Sequence, residues 1–168
     1  MSYVSNIEKN SLKRKIKKQH GLTSSYTKPM GYICGKVSLT QEAIDGLGAL
    51  DADFVIFSEQ KKYKKSENIL FLGYDEVAED IFGFDFFVCG KGSDRTEYFM
   101  KKQIVPIVQQ KHYLGSILKE FDAVEARGNC FLYDGKNHFS MLGSVMKYLA
   151  NCTYAQDKNC LLKNLRNT

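Results

Sequence analysis

The chain has 168 residues, 43% of them apolar and 26% charged, which is the size and balance of one globular domain able to bury a core without disulfide or metal staples. No apolar run reaches the ~18 residues of a membrane span, and the polar, basic N-terminus does not read as a signal peptide. The net charge of +5 is unevenly placed: residues 1–30 hold seven Lys/Arg and one Glu, residues 31–135 twelve basic and seventeen acidic residues, and residues 136–168 five basic and one acidic. Basic ends therefore flank a mildly acidic body.

Ser5 and Glu8 form a capping box, Lys17, Lys18 and His20 suit a last helical turn, and Gly21 supplies a left-handed terminator. These signals predict a helix over about 6–20. Its apolar stripe is only Leu12 and Ile16, while Lys9, Lys13, Arg14, Lys15, Lys17 and Lys18 occupy most of the remaining circumference. Burying two aliphatic side chains gains roughly 3–5 kcal/mol, and ordering the segment costs on the order of 1 kcal/mol per residue. Such a helix is marginal alone and needs a partner or the body to order it. Residues 1–30 are accordingly read as a basic helical arm and linker, and residues 31–168 as a single α+β domain.

In the body, residues 31–37 read as a strand, and Ser38 with Gln41 opens a helix over about 39–49 whose apolar face is Leu39, Ala43, Ile44, Leu47 and Leu50. The continuous apolar run at 53–58 suits a buried strand. A basic turn follows at Lys61, Lys62, Tyr63, Lys64 and Lys65, then a strand at 69–72, a short helix at 75–82 and a strand at 84–89. The order β-α-β-β-α-β matches the ferredoxin-like antiparallel sandwich, with a core of Ile33, Ile44, Leu47, Val55, Phe57, Leu70, Leu72, Ile81, Phe86 and Val88. Beyond it, Asp94 and Glu97 open a helical stretch to about Phe121 that Pro106 kinks. Asn129–Tyr133 and Lys136–Phe139 form a hairpin around Asp134-Gly135. An amphipathic helix containing Leu142, Val145, Met146 and Leu149 and a last basic helix over 155–166 complete the chain.

Few constellations point to chemistry. The five cysteines, Cys34, Cys89, Cys130, Cys152 and Cys160, are odd in number with no CxxC pair, the usage of reduced thiols in a cytoplasmic protein. With only three histidines beside them, no metal site and no cofactor are expected. Gly90-Lys91-Gly92-Ser93 lies between a strand and a helix, where backbone amides suit a phosphate, yet neither the Walker pattern nor the dinucleotide fingerprint is present. Glu59-x-Lys61, with Asp45 or Asp53 upstream, looks like the acidic-x-Lys core of restriction-endonuclease-like nucleases, where carboxylates hold a divalent metal. Arg127-Gly128-Asn129-Cys130-Phe131 resembles the nucleophile motif of ovarian-tumour-type cysteine proteases. That family places its cysteine at a helix start and its histidine far downstream, whereas Cys130 precedes a predicted turn and His138 is only eight residues on.

The basic clusters carry the functional expectation. Lysines interleaved with Tyr63, and with Tyr3 and Tyr26 around the arm, suit phosphate contact with base stacking. The expected function is a small non-catalytic module that binds nucleic acid or joins a nucleoprotein assembly through Lys9, Lys13, Arg14, Lys15, Lys17, Lys18 and the 61–65 turn. One alternative is a protein-interaction factor docking on an acidic protein surface. The other is a metal-dependent nuclease using Asp45, Asp53, Glu59 and Lys61. The arm lacks the broad apolar face that membrane insertion needs.

Overall fold

The computed structural model describes residues 6–34, 37, 39–57, 63, 66–72, 81–90 and 96–168. In chain order the elements are α1 (Asn6–His20), β1 (Met30–Cys34), α2 (Gln41–Gly48), β2 (Asp53–Phe57), β3 (Ile69–Leu72), a 3-10 turn (Ile81–Gly83), β4 (Phe86–Cys89), α3 (Thr96–Lys101), β5 (Val105–Gln109), β6 (Phe131–Tyr133), α4 (His138–Thr153) and α5 (Ala155–Arg166). Six strands form one sheet in the order β3-β2-β1-β4-β5-β6, and every neighbouring pair is parallel. This is the strand order of doubly wound, Rossmann-like α/β folds.

The ferredoxin-like expectation is therefore corrected. The four expected strands lie close to their assigned positions, and β2 does neighbour β3, but the pairing is parallel. The physical sign is the burial of whole strands: β2 and β4 are buried at every position, as strands covered on both faces must be. The expected helix from 94 to about 121 contains α3 and then β5, with Pro106 inside a strand flanked on both sides. Proline is normally kept off internal strands because it lacks a ladder donor, so its presence concealed β5. The expected 129–139 hairpin is also absent. Asp134-Gly135 turns from β6 into α4 instead, with Asn137 capping the helix through a bond from Ser140 N. α2 is capped by Thr40, whose hydroxyl accepts from Ala43 N; Ser38 lies outside the described residues.

Alternation along the strands sends Gly31, Ile33, Phe54, Phe86, Ile107 and Phe131 to one face. Tyr148 of α4 packs there, 4.5 Å from the Phe86 ring and 5.9 Å from Phe131. Tyr32, Val55 and Phe87 point to the other face, where Phe99 of α3 lies 4.7 Å from Phe87 and 5.5 Å from Tyr32. Of the expected core, all but Ile81 are buried, and the side chain of Ile81 is outside the described set. Gly31 sits between Phe54 and Phe86 in the sheet register, and a Cβ there would stand 2.3 Å from the Phe86 ring. Its missing side chain is the space in which the two rings meet edge to face at 6.0 Å.

α1 lies along the edge where the strands begin. Its buried stripe is Lys13, Ile16 and Lys17, rather than Leu12 and Ile16. Lys13 Nζ donates to Asp85 Oδ2 at 2.6 Å, and Lys17 Nζ reaches Asp53 Oδ2 at 2.5 Å. Asp53 opens β2, Asp85 immediately precedes β4, and both strands flank β1. Asp85 also accepts from Met30 N at 2.9 Å, and its own amide donates to Met30 O. Ser24 donates to Asp53 Oδ2, and Lys28 Nζ stands 3.7 Å from Oδ1. Gly83 lets the helix approach, since a Cβ there would be 3.0 Å from the Lys13 backbone nitrogen.

Three substitutions test this packing. Gly31→Ala forces the Phe86 ring from its place and lowers unfolding stability by about 1–3 kcal/mol, or more if the ring cannot move, as read by urea denaturation. Lys17→Met leaves the wholly buried Asp53 carboxylate without its nearest cation and costs about 3–5 kcal/mol. The Asp85 pair adds a pH signature. Burial raises this carboxyl, but Lys9, Lys13 and the Met30 amide outweigh it and hold it below the ordinary carboxylate value. A depressed folded-state pKa contributes stability fully present above the unfolded carboxyl pKa and lost as pH falls through the folded one. Asp85→Asn is thus less stable at neutral pH and shows a shallower acid decline than the parent.

Candidate functional site

In a doubly wound sheet the ligand crevice lies beyond the carboxyl ends of the strands, where the order reverses. Here the reversal falls between β1 and β4. Gly90 follows β4 directly and is buried. Residues 91–95, which include the glycine-rich turn singled out from sequence, lie outside the described set.

Polar groups at this edge are organised by the helices that start there. Thr96, the first residue of α3, is wholly buried, and its hydroxyl lies 3.6 Å from Cys89 Sγ and 3.4 Å from His112 Nε2. His112 Nδ1 accepts from Leu114 N at 3.2 Å. An acceptor at Nδ1 places the proton of the neutral ring on Nε2, facing Thr96. Tyr133 Oη donates to Cys89 O at 2.9 Å, tying β6 to the end of β4 beneath β5. Thr40 Oγ1 and His138 Nδ1 are 3.4 Å apart, so the first turns of α2 and α4 meet. His138 Nε2 is buried with no hydrogen-bond partner among the described residues. Two helix N-termini brought together present the positive ends of two dipoles, an environment for anionic groups. Glu42 adds a carboxylate, held below its ordinary value by its own amide and by Thr40.

The residues singled out from sequence are placed as follows. Lys13 and Lys17 are in the internal pairs described above. Lys9 stands 3.6 Å from Asp85 Oδ1. Arg14 lies over the Tyr26 ring at 3.8 Å, and Arg14, Lys15 and Lys18 are exposed. Tyr63 is half-buried, stacked on Phe71 at 5.7 Å, with its hydroxyl on Leu39 O. Lys61, Lys62, Lys64, Lys65 and Glu59 are outside the described residues. Asp45 is exposed on α2, accepting from Gln41 at 2.8 Å, whereas Asp53 is buried at the edge where the strands begin. Among the described residues no group of three or more His, Cys, Asp or Glu side chains is gathered to hold a metal ion. Cys130 and His138 stand at opposite ends of β6, and burial, then Glu120, pushes the Cys130 thiol well above its ordinary value. No described helix is long and apolar enough to cross a membrane.

Sequence reasoning did not select Thr40, Thr96, His112 or Tyr133 for the site. The available signal was positional, since each lies within a few residues of the carboxyl end of a strand or at the start of a helix.

No protein-family model matches the sequence, and no curated protein does. Solved structures do resemble it. Sucrose-phosphate synthase from Thermosynechococcus elongatus superposes with a TM-score of 0.58 at 10% identity, covering 90% of this chain and 43% of that one. The spinosyn rhamnosyltransferase SpnG gives 0.57 at 13% identity, covering 85% and 42%. The spinosyn forosaminyltransferase SpnP gives 0.59 at 12% identity, covering 86% and 41%. The chain thus spans less than half the length of each. The likeness is one of fold, a parallel α/β sheet of Rossmann-like strand order. It corrects the nucleic-acid-module reading: the neighbours are glycosyltransferases, and two of the lysines that motivated that reading are neutralised inside the fold.

Proposed function

We propose that this chain is a nucleotide-recognising lobe of glycosyltransferase type, taking an activated sugar at the carboxyl edge of its sheet between β1 and β4. The observation that carries the reading is the superposition of 85–90% of the chain on three such proteins. The edge itself supports it: the helix starts at Thr40 and Asn137 converge where a diphosphate would need positive dipole ends. The buried Thr96–His112 pair braces the start of α3 as a positioning element. Completion of a glycosyl-transfer site requires a second lobe, in keeping with the 41–43% of the neighbours' length that the chain spans. The free thiols of Cys89, Cys130, Cys152 and Cys160 favour a reducing, cytoplasmic setting.

The test is a titration of the 15N-labelled chain with a panel of nucleoside diphosphate sugars. Saturable shifts are expected at Thr40, Gly90, Thr96, His112 and His138, with no response at Asp53. Thr40→Ala removes the α2 cap, costs about 1 kcal/mol of stability and weakens binding. Absence of saturable shifts with every donor, or shifts confined to the opposite edge, would overturn the proposal.

A further inference from the structure

A cavity of about 690 Å³ opens at the edge where the strands begin, between α1, the end of α4 and the start of α5, far from the crevice just described. An inner chamber of about 30 Å³ adjoins it and shares Asn6, Lys9, Asp85, Tyr148, Cys152 and Lys158 as walls. Three lysines, Lys9, Lys13 and Lys158, line this space. Among the described lining residues the acids are Asp85 and, at the rim, Asp51, which is 97% exposed and paired with Lys28 at 3.4 Å. Asp85 is itself committed, with Lys13 at 2.6 Å and Lys9 at 3.6 Å. Lys158 therefore enters a space already holding two cations against one buried carboxylate.

The other polar groups do not restore the balance. Burial raises the Cys152 thiol to about 11, and burial raises the Tyr148 phenol well above its ordinary value, so both are neutral at physiological pH. Lys9 and Lys158 each lie in the opening turn of their helices, α1 and α5, where the dipole disfavours a cation. Glu8 and Asp157 place an acid in those turns, but neither lines the cavity. Burial, reinforced by Lys13 and Lys158, draws Lys9 below its ordinary value despite Asp85. The cavity wall therefore carries three cations against one buried carboxylate, and the rim carboxylate of Asp51 is already paired with Lys28.

We infer that this cavity is a binding site for a phosphoryl group, free or as a small phosphate ester, held between the side chains of Lys9 and Lys158. The site is independent of the proposed donor crevice, being built on the opposite edge of the sheet from different residues.

The experiment is calorimetric titration of the full chain with inorganic phosphate, at constant ionic strength set by chloride, with thermal unfolding followed in parallel. Saturable one-to-one binding and a phosphate-dependent rise in melting temperature are expected. Lys158→Met, an exposed position that leaves the fold intact, weakens binding by about tenfold or more. Lys9→Met does the same, and Lys15→Met on the exposed side of α1 does not. Glucose 1-phosphate competing with phosphate would identify an ester as a ligand, and its failure to compete would restrict the site to the free anion; either outcome rests on the phosphoryl site. The inference is overturned if chloride stabilises the protein as well as phosphate does, or if binding persists undiminished in Lys158→Met. Circular dichroism reports whether Lys9→Met stays folded; if it does not, Lys158→Met alone decides the matter.

Discussion

The buried pairing of Lys13 with Asp85 and of Lys17 with Asp53 is the constraint on which the arrangement of this protein depends. Asp53 and Asp85 begin the two strands that flank β1, and Asp85 exchanges backbone and side-chain bonds with Met30 at the head of β1 itself. The lysines are one helical turn apart, so a single helix face spans both carboxylates with Ile16 between them. Isolated buried charges in this position would be severely destabilising, and well-paired ones are tolerated because the geometry and extra hydrogen bonds offset desolvation. The pairs therefore specify where α1 lies more than they add to stability. They also leave the carboxyl edge of the sheet clear of the helix.

The two edges consequently differ in character. At the strand starts, full charges face one another in a partly enclosed space and the balance is cationic. At the strand ends, the described polar groups are hydroxyls, imidazoles and helix amides, joined by Thr96–His112, Tyr133–Cys89 and Thr40–His138. The first edge consumes long side chains to fasten a segment. The second keeps short ones, which leaves depth for a ligand and lets backbone amides approach it.

Much of the local structure was legible in the sequence. The end of α1 was marked by Gly21, which adopts φ of +73°, and α5 by its composition alone; Ser5 of the expected capping box lies outside the described residues. What was not legible was strand direction. Runs such as Asp53–Phe57 and Phe86–Cys89 already carried the continuous apolar pattern of strands covered on both faces, but the element order favoured an antiparallel arrangement. Pro106 hid β5, and Asp134-Gly135, a common hairpin signal, serves here as a strand-to-helix turn. The lysines of α1 were misleading for a general reason: a charged side chain looks solvent-facing until its partner is known, and Asp85 is 72 positions away from Lys13. The site was hidden for a related reason, since its residues come from separate strand ends and share no motif.

That separation has a consequence for how the chain matures. During synthesis at roughly 5–20 residues per second, Lys13 leaves the ribosome several seconds before Asp85 follows. Until Asp53 follows, α1 has neither of its counter-ions, and until Asp85 follows it has only the one for Lys17, so its cationic stripe faces the surroundings of the ribosome. The helix becomes part of the protein only when β4 joins β1, so its docking is a late, non-local event rather than a seed for the rest. A nascent chain halted before residue 53 would thus carry a freely available basic segment that the finished molecule conceals.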